Sequence, residues 1–438
     1  MSPDFSRRDF MKAGGTAALA AAAYQSSGKT AQAQSDRTVR IGVVGVGSRG
    51  TGLLKILLNL ENVEVPAICD IDQEHLLRAQ NIVTDKGRER PDGYSRGPWD
   101  FKRLCDREDL DAVLTATPWE WHTPVAVAAM KAGKYAATEV PAAVTVDECW
   151  ELVETSEQTG MPCMMMENVN YFRNVMMVLN MVRQNLFGEL LHFEAGYQHD
   201  VRFVKFDEQG NLRWRGRHSV VRNGNLYPTH PIGPIAWWAD INRGDIFEYL
   251  VSMSSKSRGL NHEIIKNFGP DHPNAKLKYA LGDINTTLIR THNGLTVTLY
   301  HDTQSPRPYD LIFRVQGTEG IYSGTLDKIY IDGRSPKEHQ WEEIAEYDRE
   351  YEHPMWKTLG PVAKDYGHGG GDYIEMHQFI KAVRNKTQTP ETVYDAATWS
   401  VISALSEQSV ANKSMPVDFP DFTRGKWMTT PPIGIEDA

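Results

Sequence analysis

His230 is the residue whose type and surroundings first suggest chemistry. It lies in residues 225–233, Asn-Leu-Tyr-Pro-Thr-His-Pro-Ile-Gly, between two prolines that are expected to hold a turn. An imidazole takes up or releases a proton near neutral pH, which makes this histidine a candidate acid–base residue. The alternative, a structural histidine in a loop, stays open on the residues alone.

A second group of reactive side chains follows a predicted buried strand, residues 110–116. Four of these side chains are consecutive in the sequence: Trp119, Glu120, Trp121 and His122. Ligands of open parallel sheets bind at the carboxyl ends of strands, so this crowding predicts a ligand site. The two tryptophans could equally close the core behind the sheet. Glu139 follows the next strand and either joins this site or caps the following turn.

A glycine-rich loop between a strand and a helix predicts where a dinucleotide binds. Residues 38–44 read as a buried strand and run into Gly45-Val46-Gly47-Ser48-Arg49-Gly50. Glycines at this spacing allow a tight turn and let a pyrophosphate approach the helix N-terminus. Asp70 ends the next strand, where an acid binds the ribose diol of NAD and repels the extra phosphate of NADP. Arg49 argues the other way, because a nearby arginine can accommodate that phosphate.

Strands and helices alternate through the first half of the chain. The strands are predicted at residues 38–44, 64–69, 110–116, 134–138 and 162–166. This alternation predicts an α/β fold with a doubly wound parallel sheet. We expect an NAD-binding Rossmann domain over residues 34–165 and a substrate-binding α/β domain with C-terminal helices and tail over residues 166–438.

The N-terminus has the composition of an export signal. Arg7-Arg8 precedes an Ala-rich apolar run, residues 13–23, and Ala31-Gln32-Ala33 offers a small-residue cleavage site. These features predict a twin-arginine signal peptide over residues 1–33, and therefore a periplasmic or extracellular protein that folds before export. The run is too short to act as a membrane anchor. An ordinary amphipathic N-terminal helix is the alternative.

The chain of 438 residues is acidic, with 47 basic and 57 acidic side chains and a formal net charge of −10. Loss of residues 1–33, with four basic and two acidic side chains, would take this to about −12. General nucleic-acid binding is excluded, because no basic block lies outside the first dozen residues. The few cysteines suit neither a disulfide scaffold nor a zinc site, so we expect no metal and four scattered buried thiols: Cys69, Cys105, Cys149 and Cys163.

These motifs resemble two related groups of enzymes. Residues 111–141, with Thr117-Pro118 and Glu139-Val140-Pro141, and later Gly369-Gly370-Gly371-Asp372, resemble the glucose–fructose oxidoreductase, inositol dehydrogenase and MocA family. That resemblance implies a Rossmann domain and a second domain with a large open, mostly antiparallel sheet. Dehydrogenases of that family have lysine where this chain has Val140. Tyr-Pro-Thr-His, Trp-Glu-Trp-His and Glu-Val-Pro together are similar to glycoside hydrolase family 109, exported NAD-dependent enzymes with α-N-acetylgalactosaminidase activity.

The resemblance to family 109 implies two sets of ligand contacts. The implied NAD contacts are Gly45, Gly47, Ser48, Arg49, Gly50, Asp70, Trp119, Glu120, Trp121, His122, Glu139, Val140, Asn168 and Tyr227. The implied substrate contacts are Tyr197, Arg215, Tyr227, Pro228, Thr229, His230 and Tyr309. Arg213 and Arg217 leave the register of Arg215 open. His199, beside Asp200 and Arg202, is either a further candidate or one partner of an ion pair.

The resemblance also implies a mechanism. A tightly held NAD, regenerated in each turnover, oxidises the sugar at C3; a base removes the C2 proton, the glycosidic bond breaks by elimination, water adds, and the hydride returns with retention. We assign His230 to acid–base work, and Tyr309, Tyr227 or Glu139 to the C2 proton. A tyrosine would need a cationic neighbour such as Arg215, because its ordinary pKa is about 10.

Two other functions stay open on the sequence. One is an exported NAD-dependent oxidoreductase acting on a sugar or polyol, against which Val140 argues. The other is a non-catalytic sugar-binding protein that keeps NAD structurally, against which Tyr227, His230 and Tyr309 argue. The predicted partners are a glycan or glycoside substrate, the twin-arginine export machinery and, because the large open sheets of the resembled family commonly pair, a second copy in a homodimer.

Overall fold

A computed structural model describes residues 37–434 of the chain. The predicted signal peptide, residues 1–33, therefore lies outside the described residues. Two sheets organise what is described, one of six strands and one of nine. The functional cavities lie where the parts built on these two sheets meet.

The first sheet is parallel throughout. Its strands are β1 (Val39–Val44), β2 (Val63–Cys69), β3 (Asp92–Tyr94), β4 (Ala112–Thr115), β5 (Tyr135–Thr138) and β6 (Cys163–Met165). Their connecting helices are α1 (Ser48–Leu57), α2 (Gln73–Asp85), α3 (Phe101–Cys105), α4 (His122–Lys131) and α5 (Val146–Thr159). The spatial order β3-β2-β1-β4-β5-β6 is that of doubly wound dinucleotide-binding sheets, which confirms the predicted Rossmann architecture.

The central strands explain why this half was readable from sequence. β1 and β4 lie side by side in parallel, with Ile41 opposite Ala112, and helices cover both faces. Strands buried on both faces carry continuous apolar runs rather than alternating ones. α5 begins with a capping box between Thr145 and Glu148 and ends at Gly160, whose φ is +70°. Such local signals fix the helix ends.

The second sheet is mixed but mostly antiparallel. Its strands are β7 (Leu190–Gln198), β8 (Phe247–Ser254), β9 (Ile284–Thr291), β10 (Thr296–Asp302), β11 (Arg314–Gly317), β12 (Gly320–Ser323), β13 (Lys328–Ile331), β14 (Glu342–Glu343) and β15 (Val417–Asp418). The order is β14-β13-β12-β11-β7-β10-β9-β8-β15, in which only the β7–β10 pairing of the described strands is parallel. The expected large open sheet is confirmed.

The remaining helices cover the second sheet and return to the first. They are α6 (Arg173–Arg183), α7 (Trp214–Val221), α8 (Thr229–Trp238), α9 (Gly259–Phe268), α10 (Asp348–Tyr351), α11 (Pro354–Ala363), α12 (Gly371–Asn385), α13 (Val393–Ser400) and α14 (Ile402–Ala411). α12 packs against α1, and α13 packs against α5. The C-terminal helices therefore lie against the Rossmann part of the molecule.

All four cysteines are buried and unpaired, as the sequence predicts. Burial raises the pKa of the Cys69, Cys105 and Cys163 thiols to about 12. Among residues 37–434, none of the helices combines the length and the apolar character that crossing a bilayer requires.

Candidate active site

The glycine loop makes a tight turn between β1 and α1. Gly45 has a φ of +82°, in the left-handed region that favours glycine, and a Cβ on Gly50 would lie 1.9 Å from the Gly45 carbonyl oxygen. α1 begins at Ser48, and Gly47 and Ser48 line a cleft. The first backbone N–H groups of a helix are free to bind an anion, so the loop offers donors and room for a phosphate.

Asp70 stands at the carboxyl end of β2, and two backbone donors orient its carboxylate. The N–H of Val46 donates to Oδ2 at 2.7 Å, and the N–H of Asp72 donates to Oδ1 at 2.8 Å. Each carboxylate oxygen keeps a second acceptor site. The position and orientation of Asp70 fit the ribose diol of a dinucleotide.

The cleft above the first sheet has a volume of about 770 Å³. Its walls include most of the predicted cofactor residues: Gly45, Gly47, Ser48, Arg49, Asp70, Trp119, Trp121, His122, Glu139 and Val140. Side chains of the second domain complete it, among them Tyr197, Arg213, Trp214 and Arg215. A cleft of this size and lining fits NAD.

Arg49 joins the glycine loop to the second domain. Its guanidinium donates to Glu139 through Nε and to both oxygens of Asp372, at 2.7 and 3.1 Å. Burial opposes the positive charge, but the Glu139 and Asp372 carboxylates outweigh it and raise the pKa of Arg49 well above its usual value. Because these carboxylates occupy its donors, Arg49 is not free to bind the extra phosphate of NADP. The geometry favours NAD.

A second cavity of about 600 Å³ adjoins the cleft, and Tyr197 lines both. The other residues lining this second cavity are Asn168, Val169, Phe172, Arg173, Asn174, His199, His230, Tyr309, His368 and Gly369. Three histidines and two tyrosines thus surround one space beside the cofactor cleft. This cavity is the candidate substrate site.

His230 reaches the second cavity from the first turn of α8. Its Nδ1 lies 2.6 Å from Oε1 of Glu167, a side chain with no solvent exposure. A buried carboxylate at this distance fixes the orientation of the imidazole ring. Nε2 is left to exchange a proton in the cavity.

His368 forms a second histidine–carboxylate pair at the same cavity. Its Nδ1 lies 2.9 Å from Oδ2 of Asp372, and about half of its side chain is exposed. Burial alone would raise the pKa of Asp372, but the hydrogen bond from His368 and the charge of Arg49 lower it below its usual range. Asp372 is therefore an anion that contacts His368 and the glycine-loop Arg49 at once.

Aromatic rings fill the space between the two cavities. Tyr197 lies 4.6 Å from Tyr227 and 5.4 Å from His230, measured between ring centroids. Its hydroxyl is 3.2 Å from Nδ1 of His199, whose ring meets Tyr309 edge-on at 4.8 Å. This cluster gives the cavity the flat apolar surfaces against which sugar rings stack.

Two family models match the chain and together span most of the described residues. Residues 39–167 match the oxidoreductase family with an NAD-binding Rossmann fold. Residues 171–429, more than half of the chain, match the glycosyl hydrolase 109 C-terminal domain. The chain belongs to glycosyl hydrolase family 109.

Relatives over the full length agree with the family 109 assignment. A glycosyl hydrolase family 109 protein of Stenotrophomonas maltophilia (strain K279a) is 45% identical, over 99% of this chain and 98% of its own. An α-N-acetylgalactosaminidase of Tannerella forsythia is also 45% identical, over 97% of this chain and 98% of its own. The predicted family is confirmed, and with it an NAD-dependent glycoside hydrolase.

The fold also matches solved structures of dehydrogenases. Levoglucosan dehydrogenase, in complex with NADH and levoglucosan, has a TM-score of 0.68 and 22% identity, and the match covers 88% of this chain and 100% of that chain. At this identity the likeness shows the fold alone. Together with the NAD-binding domain model, it agrees with NAD as the cofactor of the family 109 chain.

Four residues predicted to contact NAD do not line the cleft among the described residues: Gly50, Glu120, Asn168 and Tyr227. Glu120 points outward, and its Oε2 lies 3.4 Å from Nε2 of His218. The reason is the 3₁₀ turn Trp119–Trp121, whose three residues per turn send successive side chains in different directions. Gly50 packs against Gly45 instead, and Asn168 lines the second cavity, where its amide donates to Asp372 at 2.6 Å.

Tyr227, Pro228 and Thr229 are all buried, and none of them is among the residues that line the two cavities of this family 109 chain. The Tyr227 ring packs on Trp119 at 5.7 Å and on His230 at 5.0 Å. In this position Tyr227 supports the residues that face both ligands. Tyr227 also borders a small pocket together with Tyr197 and Arg215, and its direct contact with NAD and substrate stays a prediction.

Arg215 packs on aromatic rings beside the cofactor cleft, which Arg213 also lines, and its contact with the substrate stays a prediction. Its guanidinium lies 5.4 Å from the Trp119 ring and 5.3 Å from the Tyr227 ring, whereas the Arg213 and Arg217 side chains are exposed. Nevertheless, burial outweighs the charge of Arg215 and raises the pKa of Tyr227 far above its usual value. Burial likewise raises the pKa of Tyr309. Both phenols are thus poor bases.

His122 has a structural role beside the cofactor. Its ring is buried, with Nδ1 at 2.7 Å from the carbonyl oxygen of Pro141 and Nε2 at 2.9 Å from that of Thr117. It therefore fastens the segment that carries Glu139 and Val140 to the end of β4. Burial lowers the pKa of His122 despite these two carbonyls.

Three important side chains of the site were not predicted from the sequence to have a role there: Glu167, Asp372 and His368. Glu167 follows β6 by two residues, at the carboxyl end of the strand, where ligand-binding side chains collect in parallel sheets. Asp372 ends the Gly-Gly-Gly-Asp motif, and His368 precedes it. A histidine four residues before an aspartate at a helix start was the available signal for the pair.

Proposed function

We propose that this protein cleaves a terminal α-linked N-acetylgalactosamine, or a related hexosaminide or galactoside. The reaction proceeds by oxidation at C3, elimination of the leaving group from C1, addition of water and reduction, with retention. The observation that carries this proposal is the presence of two histidine–carboxylate pairs on one cavity, next to the NAD cleft. The α-N-acetylgalactosaminidase name of the Tannerella forsythia relative supports the choice of sugar.

Bound NAD supplies the hydride chemistry, accepting a hydride from the sugar and returning it. The protein residues then need to move protons. His230 takes a proton through Nε2 while Glu167, fully buried, stabilises the imidazolium. Its position beside Tyr197, which lines both cavities, places this proton transfer next to the cofactor.

His368 is the residue we assign to the leaving-group oxygen. Its half-exposed ring stands at the wall of the substrate cavity, where a departing alcohol can reach solvent. Asp372 orients the ring, and Arg49 holds Asp372 from the opposite side. The proton donor and the cofactor loop are thereby kept in one rigid arrangement.

The C2 proton requires a base, and the contacts narrow the choice. Tyr227 and Tyr309 remain protonated because burial raises the pKa of each. Glu139 is held in an ion pair with Arg49. His230 is the remaining candidate of the predicted catalytic set, so we propose that Nε2 takes the C3 hydroxyl proton, releases it to water in the cavity, and then takes the C2 proton. Tyr309 acts as a hydrogen-bond donor.

The test uses an aryl α-N-acetylgalactosaminide in deuterated water, without added NAD. Release of the aryl group with deuterium at C2 is expected. His230→Ala should abolish release while the protein keeps its NAD, and His262→Ala, an exposed histidine on α9, should leave the rate unchanged. Build-up of NADH with free sugars and no aryl release would favour an oxidoreductase instead. If neither aryl release nor NADH build-up occurs, a non-catalytic sugar-binding protein is the function that remains.

We also propose export in the folded, NAD-loaded state, on the composition of residues 1–33. An enzyme that regenerates its NAD needs no supply outside the cytoplasm, which makes loading before export advantageous. Substitution of Arg7 and Arg8 by lysine should retain the protein inside the cell, as cell fractionation would show. Unchanged export would contradict a twin-arginine route.

A homodimer through the second sheet is a further proposal about partners. Residues Met253, Ile284 and Leu288 are 66%, 45% and 49% exposed, and the strand register places Met253 beside Thr286 on the face of the sheet shared by Ile284 and Leu288. Exposed apolar patches of this kind mark interaction surfaces. Leu288→Arg should give a monomer in analytical ultracentrifugation. A monomeric wild type would contradict the proposal.

A further inference from the structure

Residues 201–218 of the second domain, which we call the cover segment, supply part of the nucleotide cleft. Val201, Val204, Arg213 and Trp214 line it together with the glycine loop. A dinucleotide bound to the Rossmann part is therefore enclosed by a wall that belongs to the other domain.

The cover segment is fixed to its own domain by a buried lysine. Lys205 is 3% exposed, and its ammonium donates to Thr303 Oγ1 at 3.0 Å and to Gln304 Oε1 at 3.1 Å. Its backbone carbonyl accepts the N–H of Arg213 at 2.9 Å. The start of the segment and the start of α7 are thus tied together at the second sheet.

The other end of the cover segment contacts the Rossmann part. Trp214 meets Trp119 edge-on at 5.1 Å, and the His218 ring lies 5.0 Å from the same tryptophan. Trp214 and His218 are four residues apart on α7 and so share one face. Nε2 of His218 reaches Oε2 of Glu120 at 3.4 Å, and this hydrogen bond lowers the pKa of Glu120.

We propose that the Glu120–His218 pair holds the cover segment closed and slows the release of NAD. Glu120 and His218 are positioning residues, which act on the cofactor through Trp119 and Trp214. The inference rests on the proposed function, in which one NAD serves many turnovers. It also gives a role to Glu120, which lies inside a cofactor motif and yet points away from the cleft.

The test measures cofactor release with no sugar present. Protein loaded with NADH is diluted into excess NAD⁺, and the decay of energy transfer from tryptophan to bound NADH gives the release rate. Glu120→Ala and His218→Ala should each release NADH about fivefold faster, which corresponds to about 1 kcal/mol at 1.4 kcal/mol per tenfold change. The double variant should be no faster than either single one, because both lose the same contact.

Two further variants separate this role from general destabilisation. Glu120→Gln keeps a hydrogen-bond acceptor and should fall between wild type and Glu120→Ala. Glu343→Ala removes an exposed ion pair with Lys328 at the edge of the second sheet, 3.0 Å long, and should leave release unchanged.

Unchanged release in both single alanine variants, or additive acceleration in the double variant, would overturn the proposal. So would a wild type that exchanges NADH within the mixing time. Because no sugar takes part, failure of the glycosidase proposal would not alter these rates. The aryl glycoside assay tests that proposal separately.

Discussion

The carboxylate of Glu167 is buried without solvent contact and lies 2.6 Å from His230. The imidazole and the backbone N–H of Val169 both hydrogen-bond Oε1 of this carboxylate, the second at 3.2 Å, so Glu167 is held in place against His230. His230 was identified from its own segment, but its partner is 63 residues away in the chain. Only folding brings the ends of β6 and the start of α8 together.

Glu167→Gln tests this unit at the level of single atoms. Glutamine keeps the shape of the side chain but removes the negative charge that stabilises the imidazolium. We expect kcat on the aryl glycoside to fall about 100-fold with KM nearly unchanged. Steady-state kinetics across pH would measure it. A kcat within twofold of wild type at every pH would show that Glu167 only packs.

Tyr309→Phe separates a hydrogen-bond donor from a base. Burial raises the pKa of Tyr309, so its hydroxyl stays protonated at the working pH. Loss of one donated hydrogen bond should raise KM roughly fivefold with little change in kcat. The two constants are measured on the same substrate. A fall in kcat of two orders of magnitude would instead restore Tyr309 as the C2 base.

At the scale of elements, α12 contributes Asp372 to the glycine loop of the other domain. Asp372→Asn leaves Arg49 with a single carboxylate, Glu139, in a partly buried position. We expect the free energy of unfolding to fall by about 3 kcal/mol, as for a broken buried pair. Denaturant unfolding would measure it, with exposed Asp365→Asn as the matched control. Equal stability of both variants would contradict the link.

The same link has a defined pH dependence. The pKa of folded Asp372 is lowered, so its stabilising contribution is complete above the unfolded value of about 3.9 and is lost as pH falls through the folded pKa. The link should therefore persist through mildly acidic conditions. Wild type and Asp372→Asn should converge in stability only below about pH 4.

The elements of the first domain were predictable because their signals are local. β1, the glycine loop and Asp70 follow one another within about thirty residues, and strand burial gives continuous apolar runs. The site was less predictable, because it depends on which strand ends and helix starts meet. Glu120 shows the limit: the motif predicted a contact with NAD, but in the 3₁₀ turn Trp119–Trp121 the Glu120 side chain points away from the cleft. The second sheet was expected only through the family resemblance.

At the scale of the whole molecule, a buried carboxyl contributes to the change in the free energy of unfolding with pH. Glu391 is fully buried, and burial raises its pKa to about 8 although Tyr171 donates to it at 2.8 Å. The folded state therefore holds a proton that the unfolded chain loses above about pH 4.3. By linkage, the contribution of Glu391 to the free energy of unfolding falls as the pH rises from about 4.3 toward 8.

Glu391→Gln removes this titration. Between pH 5 and pH 8, wild type should lose stability relative to Glu391→Gln, because in wild type the unfolded chain releases a proton that the folded state keeps. Thermal unfolding by circular dichroism at both values measures it. Glu343→Gln, exposed at β14, should behave like wild type. The same change in unfolding temperature from pH 5 to pH 8 in wild type and in Glu391→Gln would contradict the raised pKa.

The four cysteines all fall between residues 69 and 163, inside the part of the chain that forms the first sheet and its helices. Buried thiols with raised pKa values do not react, whereas exposed ones do. A thiol reagent therefore labels this protein only when the Rossmann part opens. Motions of the second sheet alone do not change the labelling rate. The labelling rate therefore reports how often the Rossmann part alone opens. Adding NAD should lower this rate in proportion to the fraction of time that NAD occupies the cleft.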